Sequence, residues 1–482
     1  MKRSTFLVVI VIAVIISASL SVYLYVQHSE GDPCSTSAPS PYITEYCAIN
    51  SLSYPNAIAV DSHGNAWFVI QKEGDLGVVY SSSSLVHTFH IPAGKLGVES
   101  WGIAVDNSRN LVWFTDYADN GIWSFNITTQ QFTYYNVTYS ASAFPYQLVV
   151  DSKGNVWFTD SFANAIGELK TNGEQISFPL PSQLTNVSLS GPFGLTEYNG
   201  TLWFTDPHAS SIGSLSVSGT NNGYTFHVYN MTDMVSSPVG IAVDAQGNIW
   251  MTEHGPSLVA EYNPLTGYFR AITSQVPVYF GTSLPYFVYV DSNGNVWFDE
   301  HTGNAIGRFS PLNNSLVEYL IPTKVVADGN ISGALTMALS PSGTPWFTEL
   351  FAGKIGRVNL QEPINLGVSI QNSTNESGFS LTPGENLSLE LKISSPANLS
   401  VQLAPYLSTY NSSAPFLFPS PQDLNKTEPS FLYSFTNSQG RGDFTSQLTI
   451  RDQNLANGTY YLTLSEISSD IRVSRVIQID VS

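Results

Sequence analysis

Three histidines follow acidic residues at equivalent places in a repeated phrase. They are His208 in Asp206-Pro207-His208, His254 in Glu253-His254, and His301 in Glu300-His301. Imidazole titrates near neutral pH and ligates divalent metals in its neutral form, while a carboxylate accepts protons or binds hard cations. Imidazole and carboxylate on adjacent loops can therefore hold a divalent metal such as Mg or Ca, or work as acid–base pairs. With eight histidines in 482 residues, the twelve positions just behind six such acids should carry about 0.2 histidines. Three are present. The competing reading is that they are solvated loop histidines. The candidate catalytic residues are His208, His254 and His301, and the candidate metal ligands are Asp206, Glu253, Glu300 and Glu349.

These acids belong to a longer series. The residue three past a recurring tryptophan is Asp116, Asp160, Asp206, Glu253, Glu300 or Glu349, and only the first copy departs, with Ile70. The tryptophans are Trp67, Trp113, Trp157, Trp203, Trp250, Trp297 and Trp346, separated by 46, 44, 46, 47, 47 and 49 residues. Seven copies at that period predict a seven-bladed β-propeller with four strands per blade. In each copy an apolar strand such as Gly240-Ile241-Ala242-Val243 enters an Asp-x-x-Gly-Asn turn, and a second strand carries the tryptophan. A hairpin of this kind brings the end of the second strand beside the start of the first. The acids then share one channel mouth with Trp101, Tyr146, Phe193 and Tyr286, which open first strands. A partial ring of carboxylates there attracts cations, or else each acid only caps its own loop. The four aromatics stack on a flat or hydrophobic ligand, or else plug the funnel.

The seventh copy lacks a fourth strand before Pro363, and a spare one stands at Ile43–Ile49. The N-terminal segment is therefore expected to complete the last blade and remove an exposed sheet edge. Charged residues are only 11% of the chain, and acids outnumber bases 37 to 18, for a net charge of -19. That balance excludes a nucleic-acid partner. Two cysteines exclude a disulfide scaffold, and Cys34 and Cys47 are a candidate disulfide outside the membrane. Lys2 and Arg3 precede an uncharged run from Phe6 to Val26, which reads as a transmembrane helix with the remainder exported, a cleaved signal peptide being the alternative. Asn126, Asn136, Asn330, Asn372 and Asn457 open Asn-x-Ser/Thr sites that suit an exported glycoprotein. From Ile364 tryptophan vanishes and short alternating strands take over. The expected organisation is an anchor at 1–30, a propeller at 42–362 and an immunoglobulin-like β-sandwich at 363–482, all-β outside the single membrane helix.

The phrase Gly-Ile-Ala-Val-Asp-x-x-Gly-Asn-x-Trp-Phe-Thr-Asp/Glu, followed by Asn-x-Ile-Gly-Arg as at Asn304-Ala305-Ile306-Gly307-Arg308, resembles the streptogramin lyase (virginiamycin B lyase) family over about residues 42–360. It is more loosely similar to gluconolactonase-type and NHL-repeat propellers. The resemblance implies metal-assisted elimination that linearises a cyclic depsipeptide, with histidines and glutamates of late blades as the working groups. By kind, their counterparts here are His208, Glu253, His254, Glu300, His301 and Glu349. First strands that often begin Pro-His-Gly-Ile in that family read Pro55-Asn56-Ala57-Ile58, Pro145-Tyr146-Gln147-Leu148 and Pro238-Val239-Gly240-Ile241 here. Two functions follow: a membrane-anchored extracytoplasmic module that binds a small molecule or a cell-surface protein at its mouth, or a metal-dependent lyase or hydrolase.

Overall fold

A computed structural model describes Cys34 and residues 40–481, except 84, 93–97, 141–142, 182–190, 218–222, 232–236, 255–257, 274–282, 326–330, 365–366, 371–377, 382–385, 395–399, 410–430, 436–438, 442 and 453–457. The expected membrane segment and the sites at Asn330, Asn372 and Asn457 lie outside the described residues. Among the described residues no helix is long and apolar enough to cross a membrane.

Seven antiparallel four-stranded units follow one another from Pro55 to Val358. The first is Pro55–Val60, Ala66–Ile70, Asp75–Val79 and Val86–His90. The seventh takes Ala334–Leu339, Pro345–Glu349 and Lys354–Val358, and its fourth strand is Ile43–Cys47. That strand pairs antiparallel with Lys354–Val358, from Ile43 opposite Val358 to Cys47 opposite Lys354. The ring is closed by the N-terminal strand, and Cys34 is disulfide-bonded to Cys47.

The repeated residues each have a mechanical task. Asp291 accepts hydrogen bonds from the Asn293 and Asn295 amides (both 2.9 Å), from Asn295 Nδ2 (2.9 Å) and from Trp297 Nε1 (3.0 Å). Asp61, Asp151 and Asp244 repeat this arrangement, so one carboxylate fixes the turn and orients the tryptophan. In blade two the acid is Asp106, which binds Ser108 and Arg109 instead, and Trp113 Nε1 has no partner among the described residues. Asp291→Ala should lower the stability of the propeller by about 1–3 kcal/mol, because several donors, the Trp297 indole among them, lose their acceptor together. Urea titration checks this, and a loss under 1 kcal/mol would refute the role.

Each oriented tryptophan packs against the next blade. Trp67 meets Phe114, Trp157 meets Phe204, Trp250 meets Phe298 and Trp297 meets Phe347. Except for Phe114, which stands opposite Trp123, the phenylalanine in turn lies over a glycine paired with it on the third strand. At Gly307 an added Cβ would stand 2.3 Å from the Phe298 ring, and at Gly356 2.1 Å from Phe347. Where the paired residue is Ala260, the partner is the slimmer Met251. The Ile-Gly-Arg motif is therefore a packing rule. Its arginine completes the stack: Arg308 lies over Trp297 and Tyr319, and Arg357 over Trp346 and Tyr46.

Blade six does not end at its fourth strand. Ser315–Leu320 pairs antiparallel with the C-terminal strand Ile471–Val481, and the sheet continues through Gly458–Ile467 and Ser400–Thr409 to Gln439–Arg441. A separate sheet runs Gly367–Ile370, Asn386–Ser394, Phe444–Asp452, Phe431–Phe435. Ile471 is fully buried with Trp297 and Tyr319, and Arg472 stands opposite the buried Glu318. Continuity of one sheet between propeller and C-terminal strands is a feature the sequence pattern had not indicated.

Candidate functional site

The links between second and third strands all lie on one face, because the strands alternate in direction. They carry His208, His254 and His301. All six acids beside these links are fully buried. Asp116 accepts from Trp123 Nε1 (3.0 Å) and the Asp119 amide (3.3 Å). Asp160 accepts from the Phe144 (2.9 Å) and Ala163 (3.1 Å) amides, and Asp206 from Ala209 (3.1 Å). Glu253 accepts from the Ser237 amide at 2.7 Å. These carboxyls thus brace their own links. Burial pushes Asp116 and Asp206 up to about 6 and raises Glu349 well above the usual carboxyl range, with Glu45 adding to the effect on Glu349.

The histidines divide. His208 is exposed, and its pKa is lowered by burial of its surroundings alone. His254 and His301 are close enough for one to depress the other. Burial, and then the charge His254 would carry, bring His301 down to about 4, and burial lowers His254. Each ring hydrogen-bonds a backbone group, at Pro285 for His254 and Ala334 for His301, and each keeps a buried Nδ1 with no partner among the described residues. Both are neutral at pH 7. His301 packs edge-on to Phe351 at 5.8 Å. Among the described residues no three His, Cys, Asp or Glu side chains converge as a ready-made metal site.

The four aromatics meet over the channel axis. Trp101 stacks on Tyr146 (5.4 Å) and Tyr286 (5.5 Å), and Tyr146 touches Phe193 at 3.8 Å between ring centres. The Tyr146 and Tyr286 hydroxyls are hydrogen-bonded, and His254 stands edge-on to Tyr286 at 5.3 Å. Blades two, three, four and six are thereby joined by one platform. Beneath it a cavity of about 380 Å3 is walled by first-strand residues such as Ile58, Ile103, Leu148, Ile241 and Ala338. The cluster caps the channel, with Tyr146 buried inside it and Trp101, Phe193 and Tyr286 half-buried beside the imidazoles.

A belt of threonines holds these first strands in place. Thr159 Oγ1 accepts from the Gln147 amide (3.0 Å) and donates to the Phe193 carbonyl of the next blade (2.9 Å). Thr115, Thr205 and Thr252 do the same toward Tyr146, Val239 and Tyr286. Blade six substitutes Asp299, which accepts from the Phe287 (2.5 Å) and Tyr286 (3.3 Å) amides. Its second oxygen is buried with no partner among the described residues, and burial raises its pKa well above the usual range. Sequence reasoning missed Asp299. The signal was present, as an acid where Trp-Phe-Thr is the rule. Phe144 and Phe351 were also missed, because nothing in their local spacing marks them.

The virginiamycin B lyase family model matches residues 41–328 and 195–379. Among solved structures, a streptogramin B lyase is 24% identical, with a TM-score of 0.56 over 66% of this chain and 97% of that one. Virginiamycin B lyase from Staphylococcus aureus is 21% identical, with a TM-score of 0.55 over 66% and 99%. A catalytically inactive histidine-to-alanine form of that enzyme, with quinupristin, is 22% identical at a TM-score of 0.56. At these identities the likeness shows the fold. No curated protein matches the chain.

Proposed function

Because the chain belongs to the virginiamycin B lyase family, we propose that its platform face binds an amphipathic ligand, with Trp101, Phe193 and Tyr286 supplying ring surface over the buried Tyr146. His254 and His301 supply neutral imidazoles beside it. The observation that carries this is the meeting of stacked aromatics and two half-buried, neutral histidines at a single mouth. Propellers present ligands at such a mouth, and aromatic surface favours flat or apolar groups. The C-terminal strands act as an immunoglobulin-like spacer or display module. The whole is an exported, membrane-anchored protein.

The second reading is lyase chemistry, favoured by the partnerless Nδ1 atoms. A neutral imidazole of lowered pKa can take a proton from a carbon acid held on the platform, and the backbone bond on its other side fixes the ring. A divalent cation held by His254 and His301 with Glu300 or Glu349 would stabilise developing negative charge. The donor types suit a cation, but two imidazoles supply only part of a ligand set, and the ligand or water would have to complete it.

Exposing the purified protein to quinupristin tests both readings. Binding should quench tryptophan fluorescence and be weakened at least tenfold in Trp101→Ala. Elimination would yield a linear isomer of unchanged mass, whereas hydrolysis would add the mass of water. If divalent cations bind, they should raise the melting temperature at pH 7.5, and His254→Ala/His301→Ala should abolish the rise. No quenching by quinupristin and no cation-dependent shift would leave the mouth without either role.

A further inference from the structure

The N-terminal chain is pinned to the rim of the candidate site. Cys34 is bonded to Cys47 at the end of the closing strand, and Cys34 Sγ lies 3.4 Å from the Gly353 carbonyl. That carbonyl accepts from the Ala48 amide at 2.9 Å. Gly353 has φ +65°, and a Cβ there would sit 2.0 Å from the Asn50 carbonyl oxygen, so only glycine permits this closeness. The residue lies in the blade-seven link between second and third strands, two positions from the Phe351 that packs against His301. The attachment point and the imidazoles are thus on one face of the disc.

The apolar run ends at Val26, eight residues before Cys34. Eight residues reach at most about 29 Å, and the disulfide prevents residues 35–46 from lengthening the tether. Without that bond the free chain would run from Val26 to Ile43, where the closing strand begins, and those 17 residues could reach about 61 Å. The face with His254 and His301 also exposes Ile49 (43%) and Leu52 (36%) beside the attachment and Phe162 (56%) on the blade-three link. Turn tips on the opposite face, Leu265 and Leu312, stand one strand length farther from the attachment.

We propose that the platform face looks toward the bilayer and receives its ligand from the lipid surface. The proposal rests on the anchored reading of residues 6–26 and on the ligand-binding reading of the mouth. The bilayer is the partner because the tether is short, disulfide-limited and fixed beside the site. A lipid-dwelling amphiphile could then reach the aromatic platform without crossing open solvent.

The test uses the full chain in phosphatidylcholine vesicles, with and without nitroxide-labelled lipid. Phe162→Cys and Leu312→Cys, each carrying an environment-sensitive fluorophore, report the two faces. The label at 162 should lose at least half its emission to the nitroxide lipid, and the label at 312 less than a tenth. Replacing Cys34 and Cys47 together with serine should reduce the difference between the faces. Equal quenching, or stronger quenching at 312, overturns the orientation while leaving the anchor standing. Failure of the chain to float with vesicles overturns the anchor and the orientation together. Quinupristin binding in detergent is measured separately, so its absence sinks the ligand reading without touching the orientation.

Discussion

Glu45→Ala should destabilise the propeller by about 3–5 kcal/mol, far more than any exposed loop substitution at the mouth. Glu45 lies in the closing strand and bonds Lys354 Nζ at 2.9 Å, while Lys354 also donates to Thr323 Oγ1 at 2.7 Å. The Thr323 amide (3.1 Å) and hydroxyl (2.7 Å) both donate to Glu45. Both side chains of the ion pair are only 2% exposed. Removing the carboxylate takes the ion-pair partner from a buried ammonium, leaving Thr323 and the Glu349 carboxyl near it, whereas replacing both partners with methionine should recover most of the loss. The disulfide remains intact in Glu45→Ala, so its contribution is kept apart. Deleting 42–49 should go further, because Ile43 and Tyr46 leave two core clusters and the edge Lys354–Val358 is uncovered. Chemical denaturation of the single variant decides the matter: a change below 1 kcal/mol would mean that closure depends on the backbone ladder alone.

Closure was legible in the sequence because it is a counting problem. Seven tryptophans, six complete strand sets and one spare strand leave a single arrangement without an open edge. The blades were legible for a similar reason: Asp291, Trp297, Phe298 and Gly307 recur because each fixes the next. The Cys34–Cys47 pairing could also be anticipated, since two cysteines allow one bond.

The site was less legible, because a period says where residues fall along the chain and not what they touch across it. His208, His254 and His301 occupy equivalent links, yet only the last two come together. Equivalent places in a ring are spaced around it, and side-chain length and local packing decide which reach the centre. The acids were placed correctly beside the mouth, but their burial and local bonds depend on amides such as Phe144 and Ser237 that no motif marks. The joining of Ser315–Leu320 to Ile471–Val481 was invisible for another reason. The two strands are about 150 residues apart, and pairing at that separation leaves no local pattern.

Stability should fall as pH rises above about 6.5, an inversion of the behaviour expected of a protein held by surface carboxylates. Asp299 and Glu349 have folded pKa values raised well above their unfolded ones, mainly by burial. A carboxyl of this kind contributes stability that is fully present below the unfolded pKa near 4 and lost as pH climbs through the folded one. While the folded state holds a proton that the unfolded state has released, each group costs about 1.4 kcal/mol per pH unit on the way up. Asp116 and Asp206, pushed up to about 6, act the same way over a lower window, roughly pH 4–6. His254 and His301 oppose them. Their folded pKa values are lowered, so the unfolded chain takes up protons first as pH falls below about 6.5. Asp291, lowered by its hydrogen bonds against the cost of burial, loses its contribution only as pH drops below about 4. From about pH 4 to 6 the four raised carboxyls outweigh the two histidines, which places the stability maximum near pH 4, and above about 6.5 the decline belongs to Asp299 and Glu349 because no histidine term acts there. Melting temperatures measured across pH 5–8.5 with chelator present should therefore decline by several degrees above neutrality. Asp299→Thr combined with Glu349→Gln should flatten that decline, since threonine restores the hydroxyl belt and glutamine carries no charge. A melting temperature that is constant or rising between pH 6.5 and 8.5 in the wild type would show that both buried carboxyls are ionised in the fold.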